Sequence, residues 1–447
     1  MTQSILQKSH LVDYLSAGCK QPSHWLIGTE HEQFLLDKKT HERFPYEGKI
    51  GIHAVLEAMQ PFGWEPILEH NKIIALKMPH RQATITLEPG GQFELSGAPL
   101  ATLHDTKAEL DTHQEKLESI LNAMGGIRLP MGADPLSLRE AIDWMPKGRY
   151  NLMHQYMPTK GKLGLDMMLR TCTVQVNLDF ESETDMVAKM RIAMALQPLA
   201  TALFASSPFL EGKVTGYQSY RAHIWQDTDP DRCGILPFVF QDDMGFEAYV
   251  DYLLDVPMYF VYRRAEYIDA RGQSFRNFMK GELPALPGEF PTIKDWTDQT
   301  TIAFPEVRLK RFLEMRGADC GPEDMLIALP AFWVGLLYDS VAQDEALQLI
   351  RQWPVDQILK AHQAAPREGL KTLINNRTLQ QVAIDVLAIS TRGLQRRARL
   401  ENGVDESIYL TPLHDIAQSG RSLSTKMLEM YEKSHSVESV IQDLLKI

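Results

Sequence analysis

Four segments of the chain alternate between apolar and polar positions, the pattern of strands buried on one face. In 171–180, Cys172, Val174, Val176, Leu178 and Phe180 fall on one side, and Thr171, Thr173, Gln175, Asn177 and Asp179 on the other. The stretch LIGTEHEQFLL (26–36) puts Glu30 and Glu32 on one side, about 7 Å apart at the rise of a strand. In 84–95, Ile85 and Leu87 alternate with Thr84, Thr86 and Glu88; past Pro89-Gly90-Gly91, Phe93 and Leu95 alternate with Gln92 and Glu94. Taken as one strand, 307–316 places Arg308, Lys310, Phe312, Glu314 and Arg316 on one face, with Val307, Leu309, Leu313 and Met315 supplying most of the other.

Other segments carry helical spacing. Leu103, Leu110, Leu117 and Met124 recur every seven residues, and Gly125 is a stop signal. From about 340 onward nearly everything reads as helix, including TLQQVAIDVLAISTRGLQRRARLENG with Gly403 at its end. The apolar stretch 186–209 is interrupted by Lys189, Arg191, Gln197 and Pro198, which suits a helix packed inside the protein and not a membrane span. The prolines of 281–292 read as an ordered surface loop. The prediction is an α+β fold: one catalytic domain over 1–447, an antiparallel sheet with packed helices, and a helical C-terminal subdomain from about 340 to 447.

Charge and cysteine usage narrow the function. With 46 Lys and Arg against 58 Asp and Glu, the formal charge is −12, which disfavours nucleic acid or an anionic membrane as the partner. Cys19, Cys172, Cys233 and Cys320 lie far apart without a C-x-x-C, so neither a zinc site nor a disulfide framework is indicated. No apolar signal segment is read in the first twenty residues, and the expectation is a cytoplasmic enzyme with free thiols. The Walker, Rossmann, zincin and serine-hydrolase motifs are missing, so any nucleotide must be held by metal and arginine and not by a glycine cradle.

An ordinary half-solvated sheet also has a polar face. Here, however, that face gathers Glu30, Glu32, Glu88, Glu94 and Glu314 with Arg170, Arg308 and Arg316, and Gln175 and Asn177 lie between them. Neighbouring carboxylates repel unless a cation sits among them. Oxygen ligands suit Mg2+, and arginines suit phosphate or carboxylate oxygens. The combination points to phosphoryl transfer on a sheet surface.

The strings IGTEHEQF, LEPGGQFELSGAPL, MPKGRY, GLDMMLRTCTVQVNLDF, SYRAHIWQDTDPDR, DVPMYFVYR and FPEVRLKRFLEMRGAD closely resemble glutamate–cysteine ligases of the plant and proteobacterial type. The resemblance runs in order from about residue 25 into the helical C-terminus. It implies a curved, glutamine synthetase-like antiparallel sheet and the first step of glutathione synthesis. In that reaction ATP phosphorylates the γ-carboxylate of glutamate, and the amine of cysteine attacks the γ-glutamyl phosphate. Two or three Mg2+ ions and feedback binding of glutathione are implied as well.

By the same resemblance Glu30, Glu32, Glu88, Glu94 and Glu314 are metal ligands, Arg316 steadies the transferring phosphoryl group and Arg308 contacts phosphate. Arg221, Arg232 and Arg170 are clamps for substrate oxygens, with Gln175, Asn177 and Trp225 near the substrates. His31 falls on the opposite face of its strand and reads as structural. Two alternatives stay open: the same chemistry with another amine acceptor, and a catalytically silent nucleotide-binding relative. The silent relative should lack a carboxylate or Arg316, and this chain has them all.

Overall fold

The computed structural model describes residues 7–445. At its centre lies a nine-stranded sheet, every pairing of which is antiparallel. In chain order its strands are β1 (Ile27–Asp37), β2 (Glu65–Glu69), β3 (Lys72–Met78), β4 (Ala83–Leu87), β5 (Phe93–Ser96), β6 (Gly126–Leu129), β7 (Thr173–Leu178), β8 (Val307–Leu309) and β9 (Leu313–Asp319). Laterally they run β8-β9-β7-β1-β5-β4-β3-β2, with β6 paired to the C-terminal half of β1. Strands β1 and β7 therefore lie side by side between the 83–96 hairpin and the 307–319 hairpin.

The alternation read from the sequence sets which face is buried. Val174, Val176, Leu178, Ile85, Leu87, Phe93 and Leu95 are all buried, facing the helical layer or the core around it. Helix Leu103–Met124 starts at Thr102, whose side chain accepts from the Asp105 amide, and stops at Gly125, which has a left-handed backbone. Helix Glu323–Leu337 packs on β1 and β7, and helix Leu379–Arg397 packs on it in turn. It is apolar nearly all round because it lies between the sheet and the C-terminal helices. Apolar contacts run without a break from Leu11 to Ile441. Among the described residues no single helix is long and apolar enough to cross a membrane.

Three local predictions need correction. Residues 307–316 are not one strand: the chain reverses at 310–312 and returns as β9, so Arg308 pairs directly with Glu314. Alternation survives such a reversal, which is why the pattern hid it. The 186–209 stretch breaks into helices Glu183–Ala195 and Gln197–Leu203, the second opening with Pro198 in its first turn, where a missing amide costs nothing. The helix expected to end at Gly403 ends at Arg397 with Ala398 left-handed, and Gly403 instead turns the small hairpin Leu400–Glu401/Val404–Asp405.

Candidate active site

Register assembles the polar face. Glu32 stands opposite Glu94, and Glu94 opposite Thr86. Two residues along, Glu30 lies between Ser96 on β5 and Gln175 on β7. Each carboxylate takes donors from its neighbours. Glu94 accepts from the hydroxyls of Thr86 at 2.8 Å and Ser96 at 2.7 Å, Glu32 from the Thr173 amide at 3.0 Å, and Glu30 from the Asn177 amide nitrogen at 2.9 Å.

These donors do not cancel the cost of crowding anions away from water. Burial, with the charges of Glu314 and Glu94, pushes Glu30 up to about 7. Burial together with Glu88 and Glu94 holds Glu32 well above the usual carboxylate range. Glu94 is raised by burial and by Glu88. The middle of the face is thus a carboxylate group short of positive charge.

The adjoining hairpin is organised differently. Glu314 is fully buried, and burial alone would raise it, yet Arg308, Lys310 and Arg316 hold it well below the usual range. Arg308 Nε donates to its Oε2 at 2.6 Å, Arg316 Nη1 to the same oxygen at 3.0 Å, and Lys310 Nζ to Oε1 at 3.3 Å. Arg316 also donates to Gln175 Oε1 at 2.8 Å. It sits where the β9/β7 register shifts between Met315 and Ala318, a bulge that re-aims a side chain out of the regular pleat. A side chain at Gly317 would put its Cβ 2.1 Å from Gln197 Oε1 and 2.4 Å from Glu306 Oε2, so it would displace the ends of both side chains.

The turn between β4 and β5 is fixed from below. Gly91 has φ +79°, and the Gln92 side chain accepts from the Gly90 amide at 2.9 Å while donating to the carbonyls of Met168 and Thr171. Glu88 stands at the start of this turn, close enough for its charge to raise both Glu32 and Glu94. Beside it Lys147 donates to the Leu87 carbonyl at 2.7 Å. Burial, aided by Arg149, brings the Lys147 ammonium down to about 8. Lys147, Arg149 and Lys310 are cations that the residue-by-residue reading left out, although MPKGRY and the polar face of 307–316 contained them.

Arg221 and Trp225 come from the short helix Tyr220–Gln226 and line a cleft beside Arg316. Arg221 Nη2 donates to the Arg316 carbonyl at 2.9 Å, while its Nε and the Trp225 indole nitrogen are buried without partners. Arg232 and Arg170 are not brought to this face. Arg232 is buried against the Tyr259 ring and donates to Asp229, to the Ile302 carbonyl and to the Pro257 carbonyl. Arg170 is held by Asp166 and Glu211. Both arginines are engaged with the fold and do not project toward substrate. His31 faces the helices as expected, 3.0 Å from Gln114. All four cysteines are free.

Among the described residues no three His, Cys, Asp or Glu side chains are gathered as a ready metal cage. The donor chemistry nevertheless fits Mg2+ at Glu30, Glu32 and Glu94, whose carboxyls are held above their usual range by burial and by one another's charge, as hard oxygen donors lacking a cation would be. It fits less well at Glu314, whose two oxygens already receive three cations.

An antiparallel sheet whose polar face sets carboxylates beside a row of cations is suited to metal-assisted phosphoryl transfer. Residues 26–443 match Glutamate-cysteine ligase family 2 (GCS2). The chain is 51% identical over 443 residues to the chloroplastic glutamate–cysteine ligase of Brassica juncea, covering 98% of this chain and 84% of that protein. It is 50% identical to the chloroplastic enzyme of Nicotiana tabacum, covering 98% and 83%. In structure it resembles the glutamate–cysteine ligase of Francisella tularensis solved with AMP, at a TM-score of 0.56 and 13% identity, covering 94% and 87%, a likeness of fold. The chain belongs to glutamate–cysteine ligase family 2. The expected cytoplasmic location does not stand, because the plant relatives are chloroplastic enzymes by name.

Proposed function

We propose that the protein joins the γ-carboxylate of glutamate to the amine of cysteine at the expense of ATP, through a γ-glutamyl phosphate, as the first step of glutathione synthesis. Family membership supports the reaction, and the observation that carries the site is the split of one sheet face into a charge-poor carboxylate group and a neighbouring row of Arg308, Lys310 and Arg316 around Glu314.

Glu30, Glu32 and Glu94 would hold Mg2+, whose chemistry is to neutralise and align the phosphate oxygens. Arg316, aimed by its bulge and backed by Gln175, meets the oxygens of the phosphoryl group in flight. Glu314 keeps Arg308 and Arg316 at a set spacing, so their positive charge is in place before substrate arrives. Arg221, with a free Nε, binds a substrate carboxylate beside them. The placement of Glu88 next to Lys147 and Arg149 suits the far end of the polyphosphate. Two or three Mg2+ ions and feedback binding of glutathione rest on the family resemblance, and isothermal titration with each tests them.

The deciding assay is ADP release with ATP and Mg2+ in the presence of glutamate, cysteine or both, with the product identified by mass. Full rate with both amino acids and a γ-glutamylcysteine product supports the proposal. Preference for another amine rejects the acceptor, and nucleotide binding without turnover rejects catalysis.

A further inference from the structure

Asp319 ends β9 and closes the string EMRGAD, in which Glu314 and Arg316 already have their places at the site. It is 1% exposed, so it does not touch substrate itself. Its bonds converge on one helix start. Oδ1 accepts from the Ser219 hydroxyl at 2.7 Å, and Oδ2 accepts from the Ser207 hydroxyl at 2.7 Å and from the Ser206 amide at 2.9 Å. Burial raises this carboxyl, while the charge of Arg221 and those three bonds oppose the rise.

Each serine passes the hold on. Ser219 is the N-cap of helix Tyr220–Gln226, and its oxygen accepts from the Ala222 amide at 3.1 Å. The Ser207 oxygen accepts from the amide of Arg221 itself, also at 3.1 Å. Main-chain bonds join the two segments as well, the Ser207 amide donating to the Gln218 carbonyl and the Tyr220 amide to the Ser207 carbonyl. Both hydroxyls thus spend their proton on Asp319 and a lone pair on the first turn of the helix.

The side chain of Arg221 is tied far less. Arg170 is gripped by Asp166 and Glu211, and Arg232 by Asp229, whereas Arg221 donates from Nη2 to the Arg316 carbonyl and leaves its buried Nε without a partner. An arginine whose fork must stay open for a ligand cannot be aimed by an acid of its own, because that acid would fill the fork. It has to be aimed through its main chain.

We propose that Asp319 is a positioning residue: through Ser207 and Ser219 it fixes the first turn of helix Tyr220–Gln226, and with it the direction of the Arg221 guanidinium. The inference rests on the ligase reading above, in which Arg221 binds a substrate carboxylate. Asp319 and Arg316 belong to the same strand, so β9 sets the spacing of both arginines before substrate arrives.

The test is a double-mutant cycle. Asp319→Asn and Ser219→Ala are made alone and in Arg221→Lys, and the Michaelis constants for glutamate, cysteine and ATP are measured with a melting curve for each protein. Alone, each should raise at least about fivefold the KM of the amino acid that Arg221→Lys affects, with KM for ATP within about twofold of wild type. In Arg221→Lys the fall in melting temperature should persist, but the further rise in that KM should stay within about twofold, since the fork being aimed is already gone. If Asp319→Asn does not fold, Ser219→Ala and Ser207→Ala carry the test, because each keeps the carboxylate and one of its hydroxyl partners. An equal rise of all three constants, a lower melting temperature with unchanged constants, or the same KM rise in both backgrounds overturns the inference. If the wild-type protein itself makes no γ-glutamylcysteine, the ligase reading has failed, and the positioning role falls with it whatever the variants do.

Discussion

Arg308 and Glu314 face each other across the β8–β9 hairpin, with Nε 2.6 Å from Oε2, both side chains almost wholly out of water. A buried pair of this kind is no proof of stability, since desolvating both charges offsets much of their attraction. Its value here is geometric. Glu314 is the common anchor of Arg308, Lys310 and Arg316, so the positive row beside the carboxylates is fixed by one acid.

Removing that anchor should cost stability as well as turnover. Glu314→Gln leaves three cations close together in a buried place, and the expected loss is about 3–5 kcal/mol in denaturant unfolding, with kcat down by at least about 100-fold. A variant with wild-type stability would show that the three cations do not depend on Glu314.

Glu94→Gln should behave in the opposite way on stability. Glu94 is raised by burial and by Glu88, so the charged side chain is a liability in the metal-free protein. The neutral isostere is expected to melt at or above the wild-type temperature without Mg2+, to lose most turnover, and to lose the upward shift that Mg2+ gives the wild type. Normal activity with normal Mg2+ dependence would reject its role.

The two arginines once paired by motif should separate in the laboratory. Arg221→Lys keeps a charge but not the fork, and KM for one amino acid should rise roughly 10- to 100-fold. Arg232→Lys abandons several of the bonds to Asp229, Ile302 and Pro257, so it should lose about 2–4 kcal/mol of stability with near-normal Michaelis constants. Chemical denaturation and steady-state kinetics on both variants decide it; a large KM effect at Arg232 would return it to the substrate site.

His113 makes a pH prediction. It is buried against Phe93 and His31 with no partner at Nδ1, and burial, aided by Arg128 and Lys116, lowers it to about 3 from an ordinary 6.5. The unfolded chain takes up the proton that the folded one refuses, so this contribution is intact above about pH 6.5 and shrinks as pH falls toward 3. Melting temperature should therefore drop between pH 7 and pH 5, and the drop should be shallower in His113→Phe. Parallel curves for the two proteins would assign the acid sensitivity elsewhere.

Much of this site was legible from alternation and residue type. The sides of β5 and β7 that carry Glu94, Gln175 and Asn177 follow from a two-residue period against apolar opposite faces, whereas β1 buries His31 and Gln33 on the side opposite Glu30 and Glu32. The stop of Leu103–Met124 follows from Gly125 for equally local reasons. Local pattern also separated His31 from its glutamate neighbours.

Register and long-range contact decided the rest. Nothing in the period of 307–316 distinguishes one strand from two, and only the hairpin sets Arg308 against Glu314. Arg221 and Arg232 occur in one conspicuous string, yet one reaches the cleft and the other is locked to Asp229, because helix Tyr220–Gln226 ends between them. Glu306 had no local signal; only the fold sets it 2.7 Å from His362 Nε2, 56 residues away, and in one cleft with Arg316. Sequence alternation specifies which way a side chain points from its own strand, whereas what it meets there depends on segments distant in the chain, and packing alone brings those together.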